Sequence, residues 1–281
     1  MITDKVLKNG FKYIEISNAC AEAKIALQGA HIFHYKTTDT EPLLWLSELA
    51  CFEEGKAIRG GIPLCFPWFG KHKADPTLPQ HGFARTSIWA LSKKEEIDRD
   101  TTHVQLQLLP TKESKVLWPY DFDVRLDVLI SSELTMTLSI TNTDIKPFEI
   151  SLALHTYFNV SDVDNIVVEG LKGCEYFDSL EGEAYIQKEN ITITEEVDRV
   201  YFKTPKVVTL EDTNRKLVLT SEGSNSLVVW NPWIKKAKQM ADMGEGGYRS
   251  MVCLETGNIR EDARLVDVGE THVLKAVMKS I

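Results

Sequence analysis

The sequence lacks the features that mark several large classes of protein. Its five cysteines are an odd number, widely scattered and without a Cys-x-x-Cys motif, which argues against a disulfide scaffold and a zinc cluster. No apolar run approaches the roughly 18 residues that a membrane span needs. Residues 1–8 contain no apolar core of the kind found in signal peptides. We therefore expect a cytoplasmic protein with reduced thiols and no membrane association.

The chain also lacks an excess of basic residues. It has 32 lysines and arginines against 41 aspartates and glutamates, with a formal net charge of −9. Nucleic acids and anionic membranes are bound by basic surfaces, so we expect neither as a partner. An anionic small molecule would be repelled by the whole-protein field, and only arginines at short range could overcome that repulsion.

Linker composition, internal repeats and low-complexity segments are absent, which predicts one domain over residues 1–281. Helical signal is sparse and limited to two short stretches. Residues 111–118 could form one or two turns. Asn231 followed by Pro232 is typical of an N-cap with proline at the first helical position, which predicts a helix to about Met243.

Alternation of apolar and polar residues dominates the rest of the chain. Residues 121–130 and 133–142 each place apolar side chains on one face, and Ser131 and Ser132 between them suit a tight hairpin. Residues 271–279 alternate in the same way. The pattern predicts an all-β fold, a large antiparallel β-sandwich with a few short helices, in which long loops carry the function.

Arginines and aromatic residues are concentrated in a loop rich in glycine and proline, formed by residues 59–70 and 79–85. Its prolines cannot continue a strand or helix. An ordered loop that presents arginines suits an anionic ligand with an apolar face. The alternative is a buried connection whose arginines pair with carboxylates. Trp68, Phe69 and the distant Trp230 could line such a site or simply pack in the core.

Three further residues stand out by their setting. His155 lies in an apolar run, where an imidazole is either a hydrogen-bonded core group or a general acid or base. Glu255 follows a strand pattern with two apolar faces, so it is either paired, kept for chemistry, or turned to water at a strand end. Asp198 occupies a polar turn, where a solvated face or a local pair with Arg199 is the simpler interpretation.

No histidine pair predicts a metal site. His31 and His34 are three apart and point to opposite faces of a strand. His72 and His81 in the loop are only a weak suggestion, and no compact His and carboxylate set is visible. We therefore expect no metal.

Six motifs in order resemble the hexose-6-phosphate 1-epimerases, a branch of the aldose 1-epimerase (galactose mutarotase) superfamily. They are Arg59–Gly70, Pro79–Arg85, His155–Asn159, Asp198–Tyr201, Val229–Trp233 and Val252–Glu255. The resemblance covers nearly the whole chain. It implies a galactose mutarotase-like sandwich with a sugar site on its concave face, and interconversion of the α and β anomers of a hexose 6-phosphate without any cofactor.

The resemblance also implies a role for each site residue. His155 would be the general acid that protonates the ring oxygen, and Glu255 the general base that takes the proton of the C1 hydroxyl. Substrate contacts would come from Arg59, Gln80, Arg85, Asp198 and His81. We expect the phosphate between the two arginines, and His155 and Glu255 on opposite sides of a sugar-sized gap.

Two other functions are compatible with the sequence. A non-catalytic sensor of sugars or sugar phosphates could use the same fold, although it would have no need for an acid/base pair. A mutarotase for neutral aldoses could use the same chemistry without a phosphate site. A monomer is the favoured state, with an oligomer left open.

Overall fold

The computed structural model describes all 281 residues, and most of them form strands. The strands, numbered in chain order, are β1 Ile2–Val6, β2 Lys12–Ser17, β3 Ala21–Ala26, β4 His31–Thr37, β5 Leu64–Cys65, β6 Ala90–Glu96, β7 Thr102–Leu108, β8 Phe122–Ile130, β9 Leu134–Asn142, β10 Phe148–Ile150, β11 Leu152–Leu154, β12 Tyr157–Asn159, β13 Val167–Glu169, β14 Glu175–Asp178, β15 Glu183–Ile186, β16 Val197–Phe202, β17 Val207–Asp212, β18 Arg215–Glu222, β19 Ser226–Asn231, β20 Met251–Asn258, β21 Arg264–Val266 and β22 Thr271–Ser280.

Helices are few and short. The α-helices are α1 Lys112–Leu117 and α2 Trp233–Ala237, and the 3₁₀ turns are Ala84–Thr86, Val163–Asn165, Gly247–Ser250 and Arg260–Asp262. No helix combines the length and apolar character that crossing a membrane would take.

Three large antiparallel sheets organise the chain. Sheet I is the N-terminal β1-β2-β3-β4. Sheet II has the order β15-β14-β16-β19-β20-β11-β5, with β12 also paired to β20. Sheet III has the order β13-β17-β18-β22-β9-β8-β7-β6, and β10 and β21 form a separate pair. This architecture confirms the all-β fold predicted by the alternation.

The predicted hairpin is formed by β8 and β9. Ile130 pairs with Leu134 across the turn, and the ladder continues without a register shift to Phe122 and Asn142. Every second residue of both strands is buried. Because side chains alternate between the two faces of a strand, this burial follows directly from the sequence pattern.

The main core joins the sheets through one cluster of 56 buried residues. It includes Val252 and Leu254 of β20 together with Leu274 and Met278 of β22, so the inner faces of sheets II and III bury each other. Glu255 alternates with this apolar set and therefore points to the other face of sheet II. That second face is covered by loops, which explains why all eight residues of β20 are buried.

The two helices were predicted with different success. Helix α1 begins at the expected place, with a reciprocal capping box between Thr111 and Ser114. Asn231 was predicted to be the N-cap of α2, but Pro232 holds that position and the helix begins one residue later, at Trp233. The Oδ1 atom of Asn231 still accepts a hydrogen bond from Trp233 N at 2.8 Å. However, α2 ends at Ala237 and does not reach Met243, because Gln239, Met240 and Met243 bond to the third preceding carbonyl and form turns.

Candidate active site

A cavity of about 480 Å³ lies on the face of sheet II that is turned away from the main core. It contains all seven residues that the sequence singled out, namely Arg59, Gln80, His81, Arg85, His155, Asp198 and Glu255. The rest of its lining comes from Phe69, Gly70, Ser179, Val228, Trp230, Lys236 and Met240. Its size falls in the range of small-molecule sites. A depression of about 850 Å³ beside β14 and β15 is larger, but it contains no histidine.

Strand register brings the cavity residues together. Asp198 of β16 pairs with Trp230 of β19, and Trp230 pairs in turn with Cys253 of β20. Val228 pairs with Glu255 in the same ladder. Residues directly opposite each other in a sheet point to the same face. Three strands that are distant in sequence therefore present their polar groups to one space.

His155 and Glu255 are immediate neighbours in this cavity. His155 Nδ1 lies 3.3 Å from Glu255 Oε1, and the two side chains are 10% and 1% exposed. The expectation of a sugar-sized gap between them was wrong. Leu154 pairs with Thr256, so His155 follows β11 directly beside Glu255, and adjacent strands are only about 5 Å apart.

Both groups have unused hydrogen-bonding capacity. His155 Nδ1 and Glu255 Oε2 are buried without a hydrogen-bond partner. Buried polar atoms in proteins are nearly always paired, and an exception calls for an explanation such as a catalytic role. A hydrogen-bonded core histidine and a glutamate turned to water are therefore both excluded as interpretations of these two residues.

Burial shifts the acid/base equilibria of the pair in opposite directions. It lowers the pKa of His155 well below the usual 6.5, and His81 adds to this effect, as do the positive charges of Arg85 and Arg59. It raises the pKa of Glu255 well above the usual 4.5, with a contribution from Asp198. Both shifts favour a neutral imidazole and a protonated carboxyl.

A chain of contacts holds the His155 ring in place. The ring stacks on Tyr157 with centroids 4.8 Å apart and planes 6° apart. Arg59 Nη1 donates a hydrogen bond to the Tyr157 hydroxyl at 2.8 Å, and Arg59 Nε lies 3.1 Å from Asp242 Oδ1. Arg59 is thus already paired with a carboxylate, as the alternative view of the loop anticipated. Tyr157 belongs to the motif His155–Asn159 but was given no role there, and nothing in the sequence marked Asp242.

The second arginine of the loop is less constrained. Arg85 donates to the backbone oxygen of Gln80 at 2.8 Å and forms no ion pair. His81 accepts a hydrogen bond from Gly70 N at 3.2 Å, and burial together with Arg85 lowers the pKa of His81 to about 3. His81 is therefore a neutral ligand group at physiological pH.

Close backbone packing holds this loop against the cavity. Gly82 has a φ of +70°, and a Cβ at this position would lie 2.1 Å from the carbonyl oxygen of Phe66. Only glycine permits both the left-handed conformation and this approach. The backbone on either side of Gly82 is thereby fixed, including the positions of His81 and Ala84.

Asp198 belongs to the cavity and not to a local pair. Alternation along β16 sends Arg199 to the other face, where its Nε lies 3.1 Å from Asp178 Oδ2. Burial raises the pKa of Asp198, whereas contacts with Ser179 and the charge of Lys236 lower it. The expected pair with Arg199 was wrong, because consecutive strand residues cannot share a face.

The cavity also contains groups that the sequence analysis missed or left open. Lys236 on α2 lines it and forms no ion pair within the protein. The predicted cap at Asn231 located this helix, but no motif marked the lysine. Among the aromatics, Phe69 and Trp230 line the cavity, whereas Trp68 is part of the main core.

Comparisons with known proteins agree on one family. The family model described as aldose 1-epimerase matches residues 12–279. A protein of Cenchrus ciliaris named "Putative glucose-6-phosphate 1-epimerase" is 40% identical and covers 88% of this chain and 78% of its own length. A protein of the same name from Escherichia coli (strain K12) is 34% identical, and the match covers 94% of this chain and 89% of that protein. The crystal structure of a "putative mutarotase" from Salmonella typhimurium has a TM-score of 0.93 at 29% identity, and the match covers 99% of this chain and 93% of that one.

Proposed function

This chain belongs to the aldose 1-epimerase family, and we propose that it is an isomerase that interconverts the α and β anomers of hexose 6-phosphates, chiefly glucose 6-phosphate. The observation that carries the proposal is the buried pair His155 and Glu255, 3.3 Å apart in a cavity that also contains unpaired cations. Acid/base groups supply the chemistry of ring opening, and the cations suit a phosphate.

The neighbouring positions of His155 and Glu255 fit the reaction better than a wide gap would. The ring oxygen and the anomeric hydroxyl of an aldopyranose are bonded to the same carbon, C1. A proton must reach the first oxygen while another leaves the second. One acid and one base placed side by side on one face of the cavity can contact both oxygens at once.

The reaction then needs only one transferable proton, which lies on either His155 or Glu255. The C1 hydroxyl donates to Glu255, which favours the carboxylate and moves the shared proton to His155. His155 protonates the ring oxygen, the bond between C1 and that oxygen breaks, Glu255 takes the hydroxyl proton, and C1 becomes an aldehyde. Rotation about C1–C2 presents the other carbonyl face, and the same transfers in reverse close the ring.

For the phosphate we propose Arg85 and Lys236 as the principal contacts. Both line the cavity and neither is paired with a carboxylate. Arg59 is less suited to the role expected for it, because Asp242 at 3.1 Å already offsets its charge. Arg59 would instead hold Tyr157 and, through it, the ring of His155. Asp198 would accept hydrogen bonds from sugar hydroxyls, as would the neutral His81.

Saturation-transfer NMR of glucose 6-phosphate tests the activity directly. We expect the protein to accelerate exchange between the two anomers over buffer, and Glu255→Gln to lose most of that acceleration. A positioned general acid or base contributes about 10²–10⁴-fold. No acceleration by the wild type, or equal rates for Glu255→Gln and the wild type, would contradict the proposal. Tight binding without acceleration would favour the sensor.

Substrate choice is tested with Arg85→Met. We expect this variant to lose activity on glucose 6-phosphate selectively and to keep its activity on glucose. An equal loss on both sugars would argue against a phosphate contact and favour the mutarotase for neutral aldoses.

We further propose a single domain that acts as a monomer in the cytoplasm. One apolar cluster contains residues of sheets I, II and III, which supports one folding unit. The five cysteines form no disulfide, in keeping with a reducing compartment.

A further inference from the structure

A cysteine that the proposed reaction does not use lies beside the catalytic pair. One ligand atom each of His155, Cys253 and Glu255 falls within 4.8 Å of the other two. Cys253 and Glu255 are two apart on β20 and so share a face, while His155 follows the adjacent β11. The thiol is buried and free. The sequence alone showed no compact ligand set, because the members come from two separate segments.

Two of the three donors have no partner within the protein, while burial raises the pKa of the Cys253 thiol, which must lose its proton to bind a metal. His155 Nδ1 and Glu255 Oε2 are buried without hydrogen-bond partners, and the two residues are 8% and 1% exposed. Nitrogen, sulfur and carboxylate oxygen are the ligands that Zn²⁺ takes, and a set of three protein ligands leaves the fourth tetrahedral position open. Here that position would face the cavity, which His155 and Glu255 both line.

We propose that His155, Cys253 and Glu255 form an inhibitory Zn²⁺ site. This inference goes beyond the proposed function, since the metal takes no part in anomer exchange. Zn²⁺ would bind the imidazole nitrogen and the carboxylate that transfer the protons. It would also block the space that C1 of the sugar needs. Inhibition is therefore competitive with substrate and is reversed by a chelator.

Charge and protons balance in this binding step. The thiol of Cys253 loses its proton to solvent, and so does the His155–Glu255 pair, which leaves a thiolate, a carboxylate and a neutral imidazole. Their two negative charges offset the two positive charges of the ion. Of the nearby cations, Arg59 is already compensated by Asp242, and Arg85 is the one that opposes binding.

Co²⁺ tests the site without any assay of activity. The protein of residues 1–281 is treated with a chelator, dialysed and titrated with cobalt chloride. We expect a thiolate-to-cobalt charge-transfer band in the near ultraviolet and the intense visible bands of four-coordinate cobalt. Cys253→Ala should lose the charge-transfer band. Cys65→Ala is the matched control, since Cys65 is an equally buried cysteine of sheet II outside the set, and it should keep the band.

Zinc chloride tests the inhibition. Cys253→Ala should retain the metal-free rate of glucose 6-phosphate anomer exchange. It should need at least about tenfold more Zn²⁺ for half inhibition, since loss of a residue that only orients a metal ligand already costs about 10- to 100-fold in metal affinity.

Equal zinc sensitivity of wild type and variant overturns the site, as does the lack of a charge-transfer band in the wild type. If the protein does not exchange anomers at all, the proposed function fails and the cobalt spectrum still decides the metal site. Should Cys253→Ala not fold, the nearly isosteric Cys253→Ser replaces it.

Discussion

His155 Nδ1 and Glu255 Oε1 are 3.3 Å apart and share a buried position, so neither group titrates independently of the other. The imidazolium–carboxylate form and the neutral form contain the same number of protons. They differ only in whether one proton lies on His155 or on Glu255. Burial favours the neutral form, and a hydroxyl that donates to Glu255 favours the charged one. The substrate itself therefore sets up the acid and the base.

The pH dependence of kcat/KM should be a broad bell. The pair is active with one proton. Because the pKa of His155 is lowered below 6.5, the second proton is taken up only at more acidic pH, and because the pKa of Glu255 is raised above 4.5, the first is lost only at more alkaline pH. Glucose is the substrate to use, since the phosphate of glucose 6-phosphate titrates near pH 6 itself. An acid limb at or above pH 6.5 would contradict the assignment.

Glu255→Gln should stabilise the folded protein at alkaline pH. The pKa of Glu255 is higher in the folded than in the unfolded chain, so its contribution to stability is complete below about 4.5 and is lost as pH rises. The glutamine side chain of the variant does not titrate, so the cost of ionising a buried carboxyl is removed, and each unit of pKa shift corresponds to about 1.4 kcal/mol. Urea unfolding at pH 8 and pH 5 measures the difference, which should shrink at the lower pH. Glu54→Gln, at an exposed glutamate, is the control and should show no such trend.

Lys236→Met should raise KM for glucose 6-phosphate and leave kcat/KM for glucose nearly unchanged. Loss of one hydrogen bond to a charged group costs about 1.5–3 kcal/mol, which corresponds to about tenfold or more in affinity. Lys235→Met is a matched control, since Lys235 lies on the same helix and does not line the cavity. If both lysine variants behave alike, or if both sugars are affected equally, Lys236 is not a phosphate contact.

Gly82→Ala should destabilise the protein far more than Gly70→Ala. Both glycines have φ near +70°, but a Cβ at Gly82 would lie 2.1 Å from Phe66 O, whereas one at Gly70 meets nothing within 4 Å. The left-handed conformation alone costs about 1–2 kcal/mol, and a backbone clash adds to it. Chemical denaturation measures both changes. Similar losses of stability for the two variants would show that conformation, and not the approach to Phe66, is decisive.

Much of the fold could be read from local pattern. Alternation over residues 121–142 located β8, β9 and their hairpin, because burial of one face requires a period of two. Helix α2 begins within one residue of the predicted start, where Asn231 acts locally, and it ends earlier than predicted, where the turns depend on packing around the following loop. The candidate site residues were found as members of motifs, and their gathering in one cavity followed from strand register.

The sequence by itself determined the strand alternation, the motifs and the chemical types in the site. Only the tertiary structure decided which groups meet. It placed His155 next to Glu255, paired Arg59 with Asp242, and brought Lys236 and Cys253 into the same region. The physical reason is that strand pairing and loop packing join residues many positions apart. On β20, a one-residue change of register would turn Cys253 and Glu255 to the opposite face. Protonation, ion pairing and metal affinity depend on distances of a few ångström between such residues, and these distances arise only when the sheets assemble.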